Sequence, residues 1–157
     1  MIKTPLLSVI VVNFNQKYFP KLCVEALSQS KISHSFEIIV IDNASHDESI
    51  SYLRQEAKNG TITLIENSKN IGYGRANNLG AKHAKGQFLL FMNPDVFVSE
   101  NSIESMLEYL KKHPEIGILG PKIVYHDGAI QPSCRRFMTF TDLIIKRTFL
   151  KRFSPFK

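Results

Sequence analysis

Short apolar runs alternate with amphipathic stretches four times along this chain of 157 residues. The apolar runs favour strands because they are rich in β-branched and aromatic residues. They cover Leu6–Asn13, Phe36–Asp42, Thr61–Glu66 and Phe88–Asn93. The amphipathic stretches carry apolar residues at helical spacing and begin near Phe19, Ser49, Tyr73 and Ile103. This alternation predicts an α/β fold, a mainly parallel sheet flanked by helices.

Strand-breaking and helix-capping residues give two further local predictions. A run at Ile116–Tyr125 predicts a last strand, which Gly120-Pro121 would bend or place at a sheet edge. Ser45-x-x-Glu48 has the spacing of a capping box that opens the helix at Ser49.

The apolar run Phe88–Asn93 predicts a strand buried on both faces and ends in Asn93-Pro94-Asp95. The strand at Phe36–Asp42 also ends in a carboxylate. The carboxyl ends of parallel strands share one edge of a sheet, where ligands bind. Asp95 beside an amide oxygen suits a hard divalent cation that takes its other ligands from water or phosphate. The alternative is that Asp95 only caps the following helix.

The stretch Asn67–Gly80 is rich in glycine and asparagine and predicts a turn followed by a helix start. It matches neither a phosphate loop nor a dinucleotide fingerprint. Free N–H groups at the helix start, with Arg75, would favour a phosphate. The alternative is that the glycines only form a turn and the asparagines only cap.

Composition and charge limit the classes of function that this chain can have. Cys23 and Cys134 are too far apart in sequence for metal-ligand spacing, and Cys23 lies on the apolar stripe of a predicted helix. Residues 1–134 carry equal numbers of acidic and basic side chains, so the net charge of +6 comes from residues 135–157. That basic, phenylalanine-rich segment would suit an anionic membrane surface or a larger domain. The neutral remainder argues against nucleic-acid binding.

Four motifs occur in an order that resembles one known family. They read VIVVNFN, VIDNAS-x-D, N-x-G-x-x-x-A-N-N-x-G and LLFMNPD. Their order and spacing resemble the N-terminal half of family 2 glycosyltransferases with the GT-A fold, over about Leu6 to Arg136. The resemblance divides the chain into a nucleotide-sugar-binding domain at residues 1–134 and a segment at 135–157, the start of an acceptor half or a membrane-associating tail.

The resemblance implies roles for individual residues. The nucleobase would contact the end of the first strand, and Asp42 would accept a hydrogen bond from the ring N–H of uracil or thymine. Asn93-Pro94-Asp95 stands where the family has its D-x-D motif, so Asp95, with Asn93, would ligate Mn²⁺ or Mg²⁺. Asn77 replaces an arginine that many members carry near the diphosphate, so Arg75 is a candidate for that charge. The full set implied for nucleotide binding is Val12, Asn13, Phe14, Asp42, Asn43, Gly72, Arg75, Asn77 and Asn78.

The resemblance also implies an activity. A metal-dependent, inverting transfer would move a sugar from a UDP- or dTDP-linked donor to a glycan or lipid-linked acceptor in bacterial surface polysaccharide synthesis. The family's general base lies in an acidic segment that has no counterpart here, since only Asp127 and Asp142 are acidic after Glu115. We therefore expect donor binding with weak or no turnover by this chain alone. The expected location is cytoplasmic, with peripheral membrane contact through the basic tail and a homodimer as further options.

Two other classes of protein compete with this interpretation. One is a non-catalytic nucleotide- or partner-binding module that docks through its basic tail. The other is a nucleotidyltransferase, although that class needs a glycine-rich basic signature after its first strand, and Asn13–Lys17 contains no glycine.

Overall fold

The computed structural model describes residues 4–132 and forms a four-stranded parallel sheet in the order β3-β2-β1-β4. The strands are β1 (Leu7–Asn13), β2 (Phe36–Asp42), β3 (Thr63–Glu66) and β4 (Phe88–Met92). The helices are α1 (Phe19–Gln29), α2 (Ser49–Lys58), α3 (Tyr73–His83) and α4 (Ser102–Lys112). Strand and helix alternate as predicted, and the parallel sheet flanked by helices is confirmed.

The apolar side chains of β1 explain why it is the central strand. All seven residues of β1 are buried, because successive side chains point to opposite faces and both faces are covered. Val9 and Val11 belong to one core cluster with Cys23 of α1 and Leu107 of α4. On the other face, Ile10 meets α3 at Gly80.

The prediction that the fourth strand is buried on both faces is wrong. Leu89 is 42% exposed and Phe91 is 47% exposed. Both lie opposite Ser8 and Ile10 in the register with β1, on the face where α3 packs over β1 and β2. Within residues 4–132, β4 pairs only with β1 and has no helix over this face. An apolar run alone does not reveal how far a covering helix extends.

The prediction of a last strand at Ile116–Tyr125 is also wrong. Among the described residues this region contains only an isolated antiparallel bridge between Val124 and Ile130. A turn forms at His126-Asp127-Gly128, with Gly128 at a φ of +84° and its N–H donating to the carbonyl of Tyr125 (3.0 Å). Pro121 has no N–H to donate to a ladder, which disfavours a continuous strand.

The described part of the chain divides into two compact units, with the boundary after Gly117. The first contains the whole sheet. The predicted basic segment at 135–157, its membrane contact and Cys134 lie outside the described residues. Across residues 4–132, none of the helices has the length and apolar character needed to cross a bilayer.

A fork-shaped ion pair joins α2 to the end of β3, and it predicts a pH dependence. Arg54 donates from Nε to Glu66 Oε1 (3.0 Å) and from Nη2 to Glu66 Oε2 (2.7 Å). These hydrogen bonds lower the pKa of Glu66 below its ordinary value of 4.5.

Because the folded-state pKa is lowered, the pair contributes its stabilisation above pH 4.5 and loses it as the pH falls through the lower folded value. We expect the carboxyl carbon of Glu66 to titrate below pH 4.5 by NMR. In Arg54→Gln the midpoint should return toward 4.5, whereas Arg54→Lys should give an intermediate value. An unchanged midpoint in Arg54→Gln would contradict this account.

Candidate functional site

Asn13 and Asp42 form a buried pair at the carboxyl end of the two central strands. They are register partners and are 0% and 2% exposed. Asn13 Nδ2 donates to Asp42 Oδ1 (2.8 Å), and the Ser45 N–H donates to Asp42 Oδ2 (2.9 Å). Each carboxylate oxygen keeps a second lone pair. The pair therefore fixes a negative charge at this edge that can accept a further hydrogen bond.

Two serines of the same network were not assigned to the site by sequence reasoning. Asn13 Nδ2 also lies 3.1 Å from Ser45 Oγ and 2.9 Å from Ser49 Oγ. The predicted capping box is wrong, because α2 has Glu48 at its N-cap with no side-chain cap hydrogen bond. The Ser45 hydroxyl instead accepts from the Asn15 N–H (3.0 Å). The sequence feature that could have indicated these serines is Asn13 at the end of a buried strand, because a buried amide needs several hydrogen-bond partners.

The loops that follow β1 and β2 are held in an uncommon backbone conformation. Asn15, Lys17 and Ala44 have φ values of 51°, 45° and 65°. Left-handed backbone at non-glycine residues concentrates at binding sites and is held by surrounding contacts. One such contact joins the two loops, since the Lys17 N–H donates to Asp47 Oδ2 (2.8 Å).

Asn43 extends the network to the end of β3. Its N–H donates to the Asn13 carbonyl (2.9 Å), and its Oδ1 accepts from Asn67 Nδ2 (2.9 Å). The Asn67 N–H also donates to the Asp42 carbonyl (2.8 Å). The structure thus joins three strand ends through Asn13, Asp42, Asn43 and Asn67.

The glycine-rich turn leads into α3 as predicted. Gly72 is the N-cap residue with a φ of +85°, and its N–H donates to Asn70 Oδ1 (2.8 Å). Arg75 and Asn78 are exposed. Asn77 is 7% exposed and donates to the Tyr73 carbonyl (3.1 Å). The first turn of α3 therefore presents backbone N–H groups and one exposed guanidinium, which suits an anion.

Asn93 and Asp95 lie on a turn directly after β4, beside the end of β1. The Val96 N–H donates to the Asn93 carbonyl (3.2 Å), and both side chains are exposed. Burial raises the pKa of the Cys23 thiol to about 12, and the charge of Asp95 adds to the shift. Within the described part of the chain, no hydrogen bond joins Asp95 to the Asp42 network.

The donor set at this turn fits a divalent cation that arrives with a diphosphate. A carboxylate and an amide oxygen are ligands that Mg²⁺ or Mn²⁺ accepts. Among residues 4–132, the Asp95 carboxylate has no ion pair, and the one cluster of three metal-ligand side chains lies elsewhere, at His34, Glu104 and Glu108. Asp95 and Asn93 would therefore leave most coordination positions to water and phosphate.

Two buried amide oxygens near these strand ends lack a hydrogen-bond partner among the described residues. They are Oδ1 of Asn13 and Oδ1 of Asn77. A buried acceptor left without a donor costs about 1–3 kcal/mol. Such oxygens favour occupation of the region by water or by a ligand that donates hydrogen bonds.

Asp42→Asn is expected to destabilise the fold by about 2 kcal/mol, because an amide has only one acceptor oxygen for two buried N–H donors. Chemical denaturation of the full chain measures the free energy of unfolding. Glu25→Gln, a neutralisation on the exposed face of α1, is the control and should change stability by less than about 0.5 kcal/mol. Equal stability of the two variants would refute a role for Asp42 as a buried acceptor.

Comparisons with known proteins identify the family of this chain. The family model described as "Glycosyl transferase family 2" matches residues 8–154. An uncharacterized glycosyltransferase of Haemophilus influenzae is 29% identical over 114 residues, which are 73% of this chain and 37% of the relative. The minor teichoic acid biosynthesis protein GgaB of Bacillus subtilis is 27% identical over 124 residues, 77% of this chain and 14% of GgaB.

Solved structures show the same fold. The mannosyltransferase PcManGT from Pyrobaculum calidifontis, in complex with GDP-Man and Mn²⁺, superposes with a TM-score of 0.63 at 22% identity over 69% of this chain and 33% of PcManGT. TarS 1–349 of Staphylococcus aureus, in complex with UDP-GlcNAc, gives 0.61 at 21% identity over 69% of this chain and 32% of TarS. These likenesses confirm the predicted GT-A fold, and the chain spans about a third of each solved structure. The chain belongs to glycosyl transferase family 2.

Proposed function

We propose that this chain provides the donor-binding part of a glycosyltransferase that acts in bacterial surface polysaccharide synthesis. The donor is a UDP- or dTDP-linked sugar, and the acceptor is a glycan or a lipid-linked glycan. One observation carries the proposal: the buried Asn13–Asp42 pair ends two strands beside the strand that delivers Asn93 and Asp95. A fixed hydrogen-bond acceptor for a nucleobase thus shares one edge of the sheet with exposed ligands for a cation.

The nucleobase occupies the edge formed by β1 and β2. A uracil or thymine ring N–H donates to Asp42, whose oxygens keep lone pairs beyond the contacts with Asn13 and Ser45. Phe14, which is 42% exposed, follows Asn13 directly and offers an aromatic surface beside the base. Val12 and Asn43 contribute contacts to the nucleobase through their backbone groups.

The diphosphate lies between the α3 N-terminus and the turn at Asp95. Gly72, Arg75, Asn77 and Asn78 provide backbone N–H groups, a guanidinium and amides on the α3 side. Asp95 and Asn93 hold Mn²⁺ or Mg²⁺, which supplies positive charge for the leaving nucleoside diphosphate. The transfer is inverting, so a carboxylate must remove the acceptor proton from the opposite face of the sugar. No residue of this chain is assigned that role, and we expect donor binding without appreciable transfer by this chain alone.

Isothermal titration calorimetry of the full chain with UDP and with dTDP, each with and without Mn²⁺, tests this function. We expect binding of at least one of the two, strengthened about tenfold or more by Mn²⁺ because the metal neutralises the diphosphate. ADP and GDP serve as controls for base recognition. Failure of both pyrimidine nucleotides to bind, with or without metal, would refute the proposal.

The basic segment at residues 135–157 supports peripheral membrane contact as a second part of the proposal. That segment contains seven Lys and Arg residues and one acidic residue. Each basic side chain near an anionic surface contributes about 1 kcal/mol of binding free energy. Sedimentation with phosphatidylglycerol vesicles should fall on deletion of residues 141–157, while sedimentation with neutral vesicles should stay low for both chains. Equal sedimentation of the full and shortened chains with anionic vesicles would refute this part.

A further inference from the structure

A cavity of about 490 Å³ opens at the amino ends of the strands, at the edge of the sheet opposite the proposed donor site. Its walls include Leu6, Ser35 and Gln87, each of which directly precedes a strand. Its volume lies within the range of about 300–1,000 Å³ that small-molecule sites occupy. None of the residues assigned to donor binding lines it.

Apart from Pro5 and Leu6, the described residues that line this cavity have polar or basic side chains. Among the described residues that line it are Lys85, Lys111 and His34, and none is Asp or Glu. Ser33, Ser35 and Gln87 add hydroxyl and amide groups. Within the described residues the Lys111 ammonium is ion-paired with Glu108 (3.0 Å) and the Lys85 ammonium is not paired, so the charge of Lys85 favours an anionic ligand.

Acidic side chains of α4 contact residues that line the cavity and hold them in place. Lys111 Nζ lies 2.6 Å from His34 Nε2 and 3.0 Å from Glu108 Oε1. His34 Nε2 in turn lies 3.9 Å from Glu104 Oε1. His34, Glu104 and Glu108 could group around a metal ion, but the Lys111 ammonium already contacts two of them. A cation at that position would repel a metal, so the cluster serves to position Lys111 and His34.

Lys85 is the cation with the most freedom to meet a ligand. Within residues 4–132 its ammonium group has no ion pair or hydrogen bond, whereas its backbone is fixed. The Lys85 N–H donates to Glu37 Oε1 (2.7 Å), and the Gly86 N–H donates to Ser8 Oγ (2.8 Å). The Phe88 N–H then donates to the Leu6 carbonyl (2.9 Å). The rim is therefore preorganised, which lowers the entropic cost of binding.

We propose that this cavity is a second ligand site, which binds the phosphate group of a small phosphorylated molecule or of a phospholipid. Lysine binds phosphate as a point charge, and Lys85 and Lys111 approach the cavity from two separate elements, the segment before β4 and the last turn of α4. The Gln87 amide adds a hydrogen-bond donor, whereas the Ser33 and Ser35 hydroxyls already donate to Glu104 and to the Thr4 carbonyl. The site is independent of donor binding, because it uses none of the same residues.

Two-dimensional amide NMR of the full chain, titrated with inorganic phosphate and separately with phosphatidylglycerol vesicles, tests this site. We expect shifts or broadening at residues 33–35 and 85–87, with smaller changes at residues 72–77. The double variant Lys85→Gln/Lys111→Gln should bind about tenfold more weakly, because it loses two charge-assisted contacts. Lys21→Gln/Lys58→Gln removes the same charge elsewhere on the surface and should retain the affinity.

The two probes distinguish the source of the phosphate. A response of residues 33–35 and 85–87 to inorganic phosphate assigns a soluble ligand. A response to vesicles alone assigns a lipid headgroup when Lys85→Gln/Lys111→Gln weakens it more than Lys21→Gln/Lys58→Gln, because residues 135–157 would bring both variants to the vesicle. If Lys111→Gln disturbs the fold, as judged by circular dichroism, Lys85→Gln alone is used and should weaken binding about threefold or more. Phosphate shifts confined to residues 72–77, no response to either probe, or equal weakening in the two double variants would overturn the proposal.

Discussion

Asp95→Asn is expected to lower the Mn²⁺-dependent affinity for UDP by about 100-fold, because it removes the one negatively charged ligand assigned to the cation. The binding that remains should resemble that of the unsubstituted chain without metal. Stability should change little, since Asp95 is exposed and has no ion pair within residues 4–132. Calorimetric titration of UDP with and without Mn²⁺ gives the metal-dependent part of the affinity directly.

Asp127→Asn is the matched control for this prediction. Asp127 is also an aspartate in an exposed turn, and its Oδ1 accepts from the Ala129 N–H (2.9 Å), a contact that asparagine retains. Both variants change the net charge equally, so long-range electrostatics affects them alike. If Asp95→Asn and Asp127→Asn bind UDP and Mn²⁺ equally well, Asp95 does not ligate the metal.

The sheet could be predicted from the sequence wherever burial is complete. β1 is apolar at five of its seven positions, the exceptions being Ser8 and the terminal Asn13, and so many β-branched side chains favour a buried strand. The parallel arrangement follows from the helix that separates each pair of strands. The same reasoning failed at Leu89 and Phe91, because their exposure depends on where α3 lies and not on their own composition.

The strand-end positions of the candidate site follow from the sequence, but the contacts in its loops do not. Asp42 and Asn13 both end predicted buried strands, and the structure places them side by side at one edge of the sheet. Ser45 was assigned to a capping box since its spacing to Glu48 fits one. In the structure the buried Asn13 amide, 31 or more residues away along the chain from both serines, takes Ser45 and Ser49 as partners. A rule based on local sequence spacing cannot predict a hydrogen-bond partner that is distant in sequence and that only the fold brings near.

Gly86→Ala is expected to destabilise the protein by about 3 kcal/mol, the largest loss of stability among simple alanine replacements of its glycines. A Cβ added at Gly86 would lie 2.4 Å from the Ser8 N and 2.6 Å from the Leu7 carbonyl carbon. Both atoms belong to the backbone of β1, which is paired with β2 on one side and β4 on the other. The central strand cannot move without disturbing both ladders, so the overlap must be relieved by displacing the segment that leads into β4.

Two other glycines give a graded control for this prediction. A Cβ at Gly80 would lie 2.5 Å from Ile10 Cγ2, a methyl group of a buried side chain. A side chain can shift more readily than the backbone of a paired strand, so Gly80→Ala should cost less than Gly86→Ala. A Cβ at Gly74 would meet nothing within 4 Å, and alanine in the first turn of α3 should be neutral or stabilising by up to about 1 kcal/mol. Thermal unfolding should rank the variants in that order, with Gly86→Ala melting about 10 °C below the unsubstituted chain. A Gly86→Ala variant as stable as Gly80→Ala would mean that the segment before β4 does not approach β1 as closely as the structure indicates.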